Sequence, residues 1–287
     1  MASAREIRRR IRSIGSTSQI TKAMQMVAAS KMRRAQQAAI DVRPFVRLLY
    51  RIQRTAATRD VEFAHPLLDQ RDIRRRLVVL VASDKGLCGA LNSNLFRLVG
   101  RYDPRSTAFI TVGRKAAQFV ARTRRELIAD FPYRDTPKYA ESRAIATLAQ
   151  DLFLKRDVDA VDVVATRFIN TLMQQPIAVE FLPIGDLHGL EVPGAPPFDP
   201  GHDMREFLFE PDAQDLIAYA LGHYLNVFIH VVLLNANASE QSARMVSMKG
   251  ATDSAGEMIR DLTLAYNKLR QGRITQELLE IAGGQAD

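Results

Sequence analysis

The sequence predicts an α/β protein in which long helices at the two chain ends pair as an antiparallel coiled coil and flank a central α/β domain. Three observations support this prediction. The first and last segments are nearly free of proline and carry apolar residues in steps of three and four, the period of a coiled coil. The middle alternates short β-branched apolar runs with helical stretches, which is typical of a mostly parallel sheet. A loop rich in proline and glycine, residues 183–201, precedes the last helix.

The first helix is expected over residues 1–59, a length of roughly 80 Å, which is too long for a helix inside a compact domain. Its apolar stripe is interrupted by three polar residues, and a second apolar stripe runs beside the interruption. The polar residues are Ser18, Thr21 and Gln25, and the second stripe is Ile20, Met24 and Val27. We expect the polar residues to lie on the contact between the helices, where they weaken the pairing, and the second stripe to run parallel to the first.

The last helix is expected over residues 209–287, starting after Pro211 at Asp212 and stopping at Gly283 and Gly284. Neither terminal helix can bury its stripe alone, and the middle segment is too short to cover both. Because the middle segment joins them, we expect the helices to run antiparallel. The longer last helix then extends beyond its partner.

The middle segment, residues 60–208, is expected to form a Rossmann-like α/β domain. Four strands and three helices are predicted in it. The strands are expected at 77–82, 108–112, 161–166 and 177–182, and the helices at 90–99, 116–125 and 141–155.

The net charge of +8 is concentrated at the start of the chain, because residues 1–59 hold 14 Lys/Arg and two acids. Such basicity raises the alternative of a coiled-coil protein that binds nucleic acid. Only Phe45 and Tyr50 are aromatic in this segment, and no recognition motif accompanies them, so a solvated basic helix is the favoured interpretation. The single cysteine, Cys88, suits a reducing compartment, and no apolar run is long enough to cross a bilayer.

Strings in three separated regions of the chain, in the right order, are similar to the gamma subunit of F-type ATP synthases. The first end carries RRRIRSI at 8–14 and QITKAMQMVAASKMRRAQ at 19–36, and the last helix carries ASEQSARMVSMK at 238–249 and ITQEL at 274–278. In the middle, SDKGLCGALN at 83–92 resembles the strand-to-helix turn of that family.

The resemblance implies a non-catalytic rotor shaft in a proton-translocating complex. In the family, the paired helices lie inside a ring of alpha and beta subunits, and the α/β domain lies on the c ring beside epsilon. Rotation driven by ion flow then changes the conformation of the catalytic beta subunits. The same resemblance predicts a peripheral protein on the cytoplasmic face of a bacterial cell membrane. No cofactor or metal is expected.

The resemblance also implies interface residues. Met24 is placed near the beta subunits, although a methionine that only fills the helix contact is an equal alternative. The other expected contacts with the alpha/beta ring are Glu240, Arg244, Gln271, Ile274, Thr275 and Leu278. Glu240 and Arg244 also have the i, i+4 spacing of a weak ion pair within one helix. Phe207 and Glu210 are expected near the c ring and epsilon, or at a plain strand-to-helix junction.

The glycines of the turn at 84–89 raise an enzyme alternative, a nucleotide-binding α/β protein with helical arms. The turn lacks both the Gly-x-Gly-x-x-Gly pattern and the Gly-Lys-Ser/Thr ending of phosphate-binding loops. We therefore interpret it as close packing of a turn on a helix, with Cys88 as a small buried residue.

Overall fold

The computed structural model describes residues 3–57, 65–132, 136–184 and 213–283. Both long terminal helices are present, α1 at Ala4–Ala57 and α5 at Ala213–Gly283. The chain divides into two compact units. The first unit combines Met1–Ala28 with Arg244–Asp287, and the second unit is Ala29–Ala243.

A five-stranded sheet forms the centre of the second unit, in the order β3-β2-β1-β4-β5. Its first four strands are parallel and β5 is antiparallel to β4, which confirms the predicted mostly parallel sheet. The strands are β1 at Arg76–Val81, β2 at Thr107–Val112, β3 at Glu126–Phe131, β4 at Ala160–Phe168 and β5 at Gln174–Leu182.

Strand β3 is the one described strand that the sequence did not predict. Among the described strands it lies at the edge of the sheet and pairs with β2 alone, and it is partly exposed. An edge strand with a solvated face does not need a continuous apolar run, and Glu126 and Asp130 interrupt the run here. The remaining strands are the β-branched runs that the sequence singled out.

The helices of the second unit cover both faces of the sheet. On one face, α2 at Leu91–Val99 and α3 at Arg114–Arg122 pack on Val78, Leu80 and Phe109. The other face is covered by α4 at Tyr139–Leu154 and by the part of α5 within this unit. Helix α3 ends earlier than predicted, because Arg124 takes a positive φ of 52° that breaks the helical backbone.

A buried ion pair fixes the amino end of the sheet. Asp162 of β4 is 6% exposed, and its carboxylate accepts a hydrogen bond from Arg76 Nη1 at 2.6 Å and another from the Tyr102 hydroxyl at 2.7 Å. Burial is the main cause that raises the pKa of Tyr102, so this hydroxyl keeps its proton and remains a donor. These bonds join β1, β4 and the loop after α2.

A cluster of aromatic and histidine side chains joins α4 to α5. The Ser142 hydroxyl lies 2.9 Å from Nδ1 of His230, and the Tyr139 ring meets the same imidazole edge-on at 5.6 Å. The Tyr139 hydroxyl lies 3.4 Å from Nδ1 of His223. Burial lowers the pKa of His230, which favours the neutral imidazole in the folded chain.

Candidate functional site

The first unit is a coiled coil formed by the start of α1 and the end of α5. Buried and half-buried side chains recur on both helices in steps of three and four, as the heptad pattern requires. On α1 they include Ile7, Ile11, Ile14, Ser18, Thr21, Gln25 and Ala28, and on α5 Met245, Met248, Thr252, Ala255, Ile259, Leu262 and Tyr266.

The direction of the helices follows from one cross-helix contact. The hydroxyl oxygens of Thr21 and Thr252 are 2.7 Å apart. Ile7, the first buried residue of α1, lies two heptads before Thr21, and Tyr266, the last half-buried side chain among those described in α5, lies two heptads after Thr252. Both stripes therefore end together at one end of the coil, and the helices run antiparallel.

The polar residues, and not the neighbouring apolar ones, continue the contact between the helices. Ser18, Thr21 and Gln25 are half-buried, whereas Ile20 and Val27 are 60% and 54% exposed. The expectation that Ser18, Thr21 and Gln25 lie on the contact between the helices therefore agrees with the structure, and Ile20 and Val27 of the parallel stripe are exposed beside it. The steps of three and four determine which face of α1 points to α5. Hydroxyls on that face are buried at little cost in free energy when they bond backbone carbonyls.

Met24, which the sequence placed in the second stripe, is half-buried. The exposed Ile20 lies about one helical turn before it, and the exposed Val27 lies less than one turn after it. Met24 therefore lies partly in the contact between the helices and is partly accessible from outside the coil.

Helix α5 continues beyond the paired region. Every described side chain from Asn267 to Leu279 is exposed, including the predicted contacts Gln271 and Thr275. The apolar residues of this tip are widely exposed, with values of 46% for Ile274, 61% for Leu278 and 67% for Leu279. A run of exposed large apolar side chains on a helix is typical of a surface that another protein covers.

The structure describes two of the other four predicted contacts with partner subunits, and both are buried. Glu240 and Arg244 are buried, with 4% and 8% of each residue exposed. Phe207 and Glu210 lie outside the described residues.

Helix α5 is bonded to the hairpin of β4 and β5 within the second unit. The Ser239 hydroxyl donates to the Thr166 carbonyl at 3.3 Å, and the Ser242 hydroxyl donates to the Thr171 carbonyl at 2.8 Å. Leu172 and Met173, at the tip of this hairpin, are 80% and 57% exposed. The sequence did not single out this apolar tip as a surface, since an exposed apolar turn has no periodic pattern to indicate it.

The turn between β1 and α2 is closed by its own side chains. The Asn92 amide donates to the Ser83 hydroxyl at 2.7 Å and lies 3.4 Å from Cys88 Sγ. Cys88 is 3% exposed, which confirms that it is a small buried residue. Asp84 at the same turn pairs with Arg114 at 3.0 Å, so the turn presents a carboxylate where a phosphate loop would present amides.

The described residues offer neither a metal-binding group of His, Cys, Asp and Glu nor a helix that is long and apolar enough to cross a membrane. The sequence profile of the family described as ATP synthase matches residues 3–286. A protein of Opitutus terrae named ATP synthase gamma chain is 45% identical, over 99% of this chain and 98% of its own length. The chain belongs to the ATP synthase gamma-chain family.

Two solved structures are similar to this chain. A chain from the structure of the central stalk and c ring of the Tetrahymena thermophila mitochondrial ATP synthase has a TM-score of 0.60 at 25% identity, covering 81% of this chain and 99% of that one. A chain of the Euglena gracilis mitochondrial ATP synthase has a TM-score of 0.68 at 19% identity, covering 98% and 93%, and shows likeness of fold. This gamma chain is thus the rotor shaft of an ATP synthase.

Proposed function

We propose that this gamma chain couples the rotation of a c ring, driven by proton flow, to conformational cycling of catalytic beta subunits. In this proposal the chain itself has no catalytic site and acts by its shape. The coiled coil of the first unit lies inside a ring of alpha and beta subunits, at the cytoplasmic face of a bacterial membrane. The chain is held at the membrane only through its partner subunits.

The observation that carries this proposal is the exposed tip of α5. The described side chains of the tip beyond Tyr266 are exposed, yet they include large apolar ones. Ile274 and Leu278 are i, i+4 and share one helix face, so they form a narrow apolar strip that an outer ring of subunits would cover. Gln271 and Thr275 add polar groups, whose hydrogen bonds exchange with water at little net cost during rotation.

The same proposal assigns further contacts. Met24, half-buried and accessible from one side, contacts a beta subunit. Glu240 and Arg244 contact a beta-subunit loop through the small exposed fraction of each residue. Phe207 and Glu210 contact the c ring and epsilon.

The test is assembly and coupling of the chain with alpha, beta, epsilon and c subunits in membrane vesicles. Removing the residues after 270 is expected to leave ATP hydrolysis in place but to lower the number of protons pumped per ATP. Ile274→Ser with Leu278→Ser is expected to act in the same direction. Leu154→Ser is the matched control, because Leu154 ends α4 and is 44% exposed.

Two results would contradict the proposal. One is a chain that forms no complex with alpha and beta subunits. The other is a tight nucleotide site on the isolated chain in calorimetry, which would favour the nucleotide-binding alternative.

A further inference from the structure

The turn between β4 and β5 presents apolar side chains on the surface of the second unit. We call residues 169–173, which join the two strands, the hairpin tip. In it, Ile169 is 46% exposed, Leu172 is 80% exposed and Met173 is 57% exposed. The hairpin tip contains no charged residue. Single exposed apolar residues are ordinary on a protein surface, whereas three of them within five residues of one turn indicate a surface that a partner covers.

The backbone of the hairpin tip is held in place by side chains of the turn itself. The Asn170 side-chain oxygen accepts the backbone N–H of Leu172 at 2.9 Å and that of Met173 at 2.8 Å. The Gln174 side-chain amide donates to the Asn170 carbonyl at 3.2 Å and to the Thr171 carbonyl at 3.1 Å. Because the turn is already ordered, a partner that covers its apolar side chains does not lose affinity by ordering the backbone.

Helix α5 is bonded to this hairpin within the helical turn that contains Glu240. The Ser239 hydroxyl donates to the Thr166 carbonyl, and the Ser242 hydroxyl donates to the Thr171 carbonyl of the hairpin tip. All of these residues belong to the second unit. Glu240, between the two serines, is only 4% exposed. A partner that reaches Glu240 therefore finds little of that residue accessible, whereas the hairpin tip bonded to the same helical turn offers exposed apolar surface.

We propose that the hairpin tip docks on a beta subunit and buries Leu172 and Met173 there. This inference rests on the proposed function, in which Glu240 meets a loop of a beta subunit. Burial of apolar surface supplies the attraction. A contact of so few side chains is much smaller than the roughly 1,200–2,000 Å² of a stable interface. The contact can therefore form and break as the shaft turns.

The hairpin tip is distant from the contacts that the proposed function assigns to the c ring and epsilon. Helix α5 begins at Ala213, and Ser242 lies 29 residues further along it, roughly 43 Å at the rise of an α-helix. Phe207 precedes Ala213 by six residues in the sequence, and six residues of chain reach at most about 22 Å. A beta subunit therefore fits the hairpin tip better than the c ring or epsilon.

The test is photo-cross-linking in the complex of this chain with alpha, beta, epsilon and c subunits. Cys88→Ala removes the native thiol, and Leu172→Cys is labelled with a benzophenone maleimide before assembly. Irradiation is expected to join the label mainly to a beta subunit, which mass spectrometry of the adduct identifies.

The matched control carries the same label at Leu154→Cys. Leu154 is also an exposed leucine, but it precedes the start of β4, whereas the hairpin tip follows the end of that strand. Nine residues of strand separate the two positions by roughly 30 Å. The yield of beta adduct from position 154 is expected to be several-fold lower than that from position 172.

A main adduct of position 172 with alpha, epsilon, c or this chain itself would overturn the proposal. A yield of beta adduct equal to that from position 154 would also overturn it. The same label at Leu278→Cys separates these results from failure of the proposed function. If position 278 reacts with alpha or beta while position 172 does not react with beta, the proposed function stands and the docking of the hairpin tip is wrong. A chain that forms no complex with alpha and beta contradicts both.

Discussion

Thr21 and Thr252 face each other across the coiled coil with their hydroxyl oxygens 2.7 Å apart. Each hydroxyl also lies within hydrogen-bond distance of a carbonyl of its own helix, Ser18 at 3.0 Å and Met248 at 2.8 Å. Two hydroxyl protons therefore serve three contacts, and at any moment one contact lacks a proton. The pair binds the helices together without a fixed donor.

Replacing one of these threonines should cost more than replacing both. Thr21→Val leaves the Thr252 hydroxyl beside an apolar methyl group and should destabilise the coil by about 1 kcal/mol. Thr21→Val with Thr252→Val puts two similar β-branched side chains together and should recover most of that loss. Hydrogen exchange of the amides in 18–28 and 245–255 measures the effect locally. Losses that simply add in the double variant would show that the two hydroxyls are not coupled.

Two ion pairs at the amino end of the sheet should differ in strength. Asp162→Asn removes the charge partner of Arg76, whose side chain is 26% exposed, and should cost on the order of 2–3 kcal/mol. Glu126→Gln breaks the pair with Arg75, in which both side chains are about half exposed, and should cost less than about 1 kcal/mol. Urea unfolding of the two variants tests the ranking, and similar costs would contradict it.

The stability of the second unit should fall below neutral pH because of His230. Burial lowers the pKa of His230 in the folded chain, so the unfolded chain binds the proton more readily. Stability should therefore decline as pH falls below about 6.5, the ordinary value for histidine, and go on declining until the folded pKa is reached. His230→Gln should flatten this decline in thermal melts between pH 7 and 5, about the range in which histidine titrates. Ser142→Ala, which keeps the imidazole, should keep the decline.

The reactivity of Cys88 should depend on Asn92. The Asn92 amide closes the turn over the thiol, and its removal in Asn92→Ala should raise the rate of modification by a thiol reagent several-fold. Asn94→Ala, on the same helix, should leave the rate near that of the unchanged chain. Equal rates for the two variants would mean that other packing excludes the reagent.

Much of the fold follows from the periodicity of the sequence. Steps of three and four identified both terminal helices, and β-branched runs identified four of the five described strands. The same spacing placed Ser18, Thr21 and Gln25 on the contact between the helices, and they are half-buried there. The spacing does not give the residue of α5 that each one meets, because the pairing of Thr21 with Thr252 is a property of two segments far apart in sequence. Strand β3 was not predicted for a related reason. It is a strand because it pairs with β2, and it has no continuous apolar run that would indicate a strand in the sequence.

The candidate site could be predicted less well than the fold. The exposure of Ile274 and Leu278 follows from the greater length of α5, which the sequence shows. The burial of Glu240 and Arg244 depends on what packs around α5, and charged residues on a helix give no sign of it. The use of Asp159 and Asp162 by distant backbone and side-chain donors is likewise a tertiary effect.

The two serine bonds between α5 and the β4–β5 hairpin have a mechanical consequence. Ser239 and Ser242 lie on one face of the helix, and they donate to the Thr166 carbonyl in β4 and to the Thr171 carbonyl in the turn that follows β4. Rolling α5 about its own axis would break both bonds at once, whereas bending the helix would strain them little. The two bonds therefore oppose rotation of α5 about its own axis against the sheet more than they oppose bending of the helix.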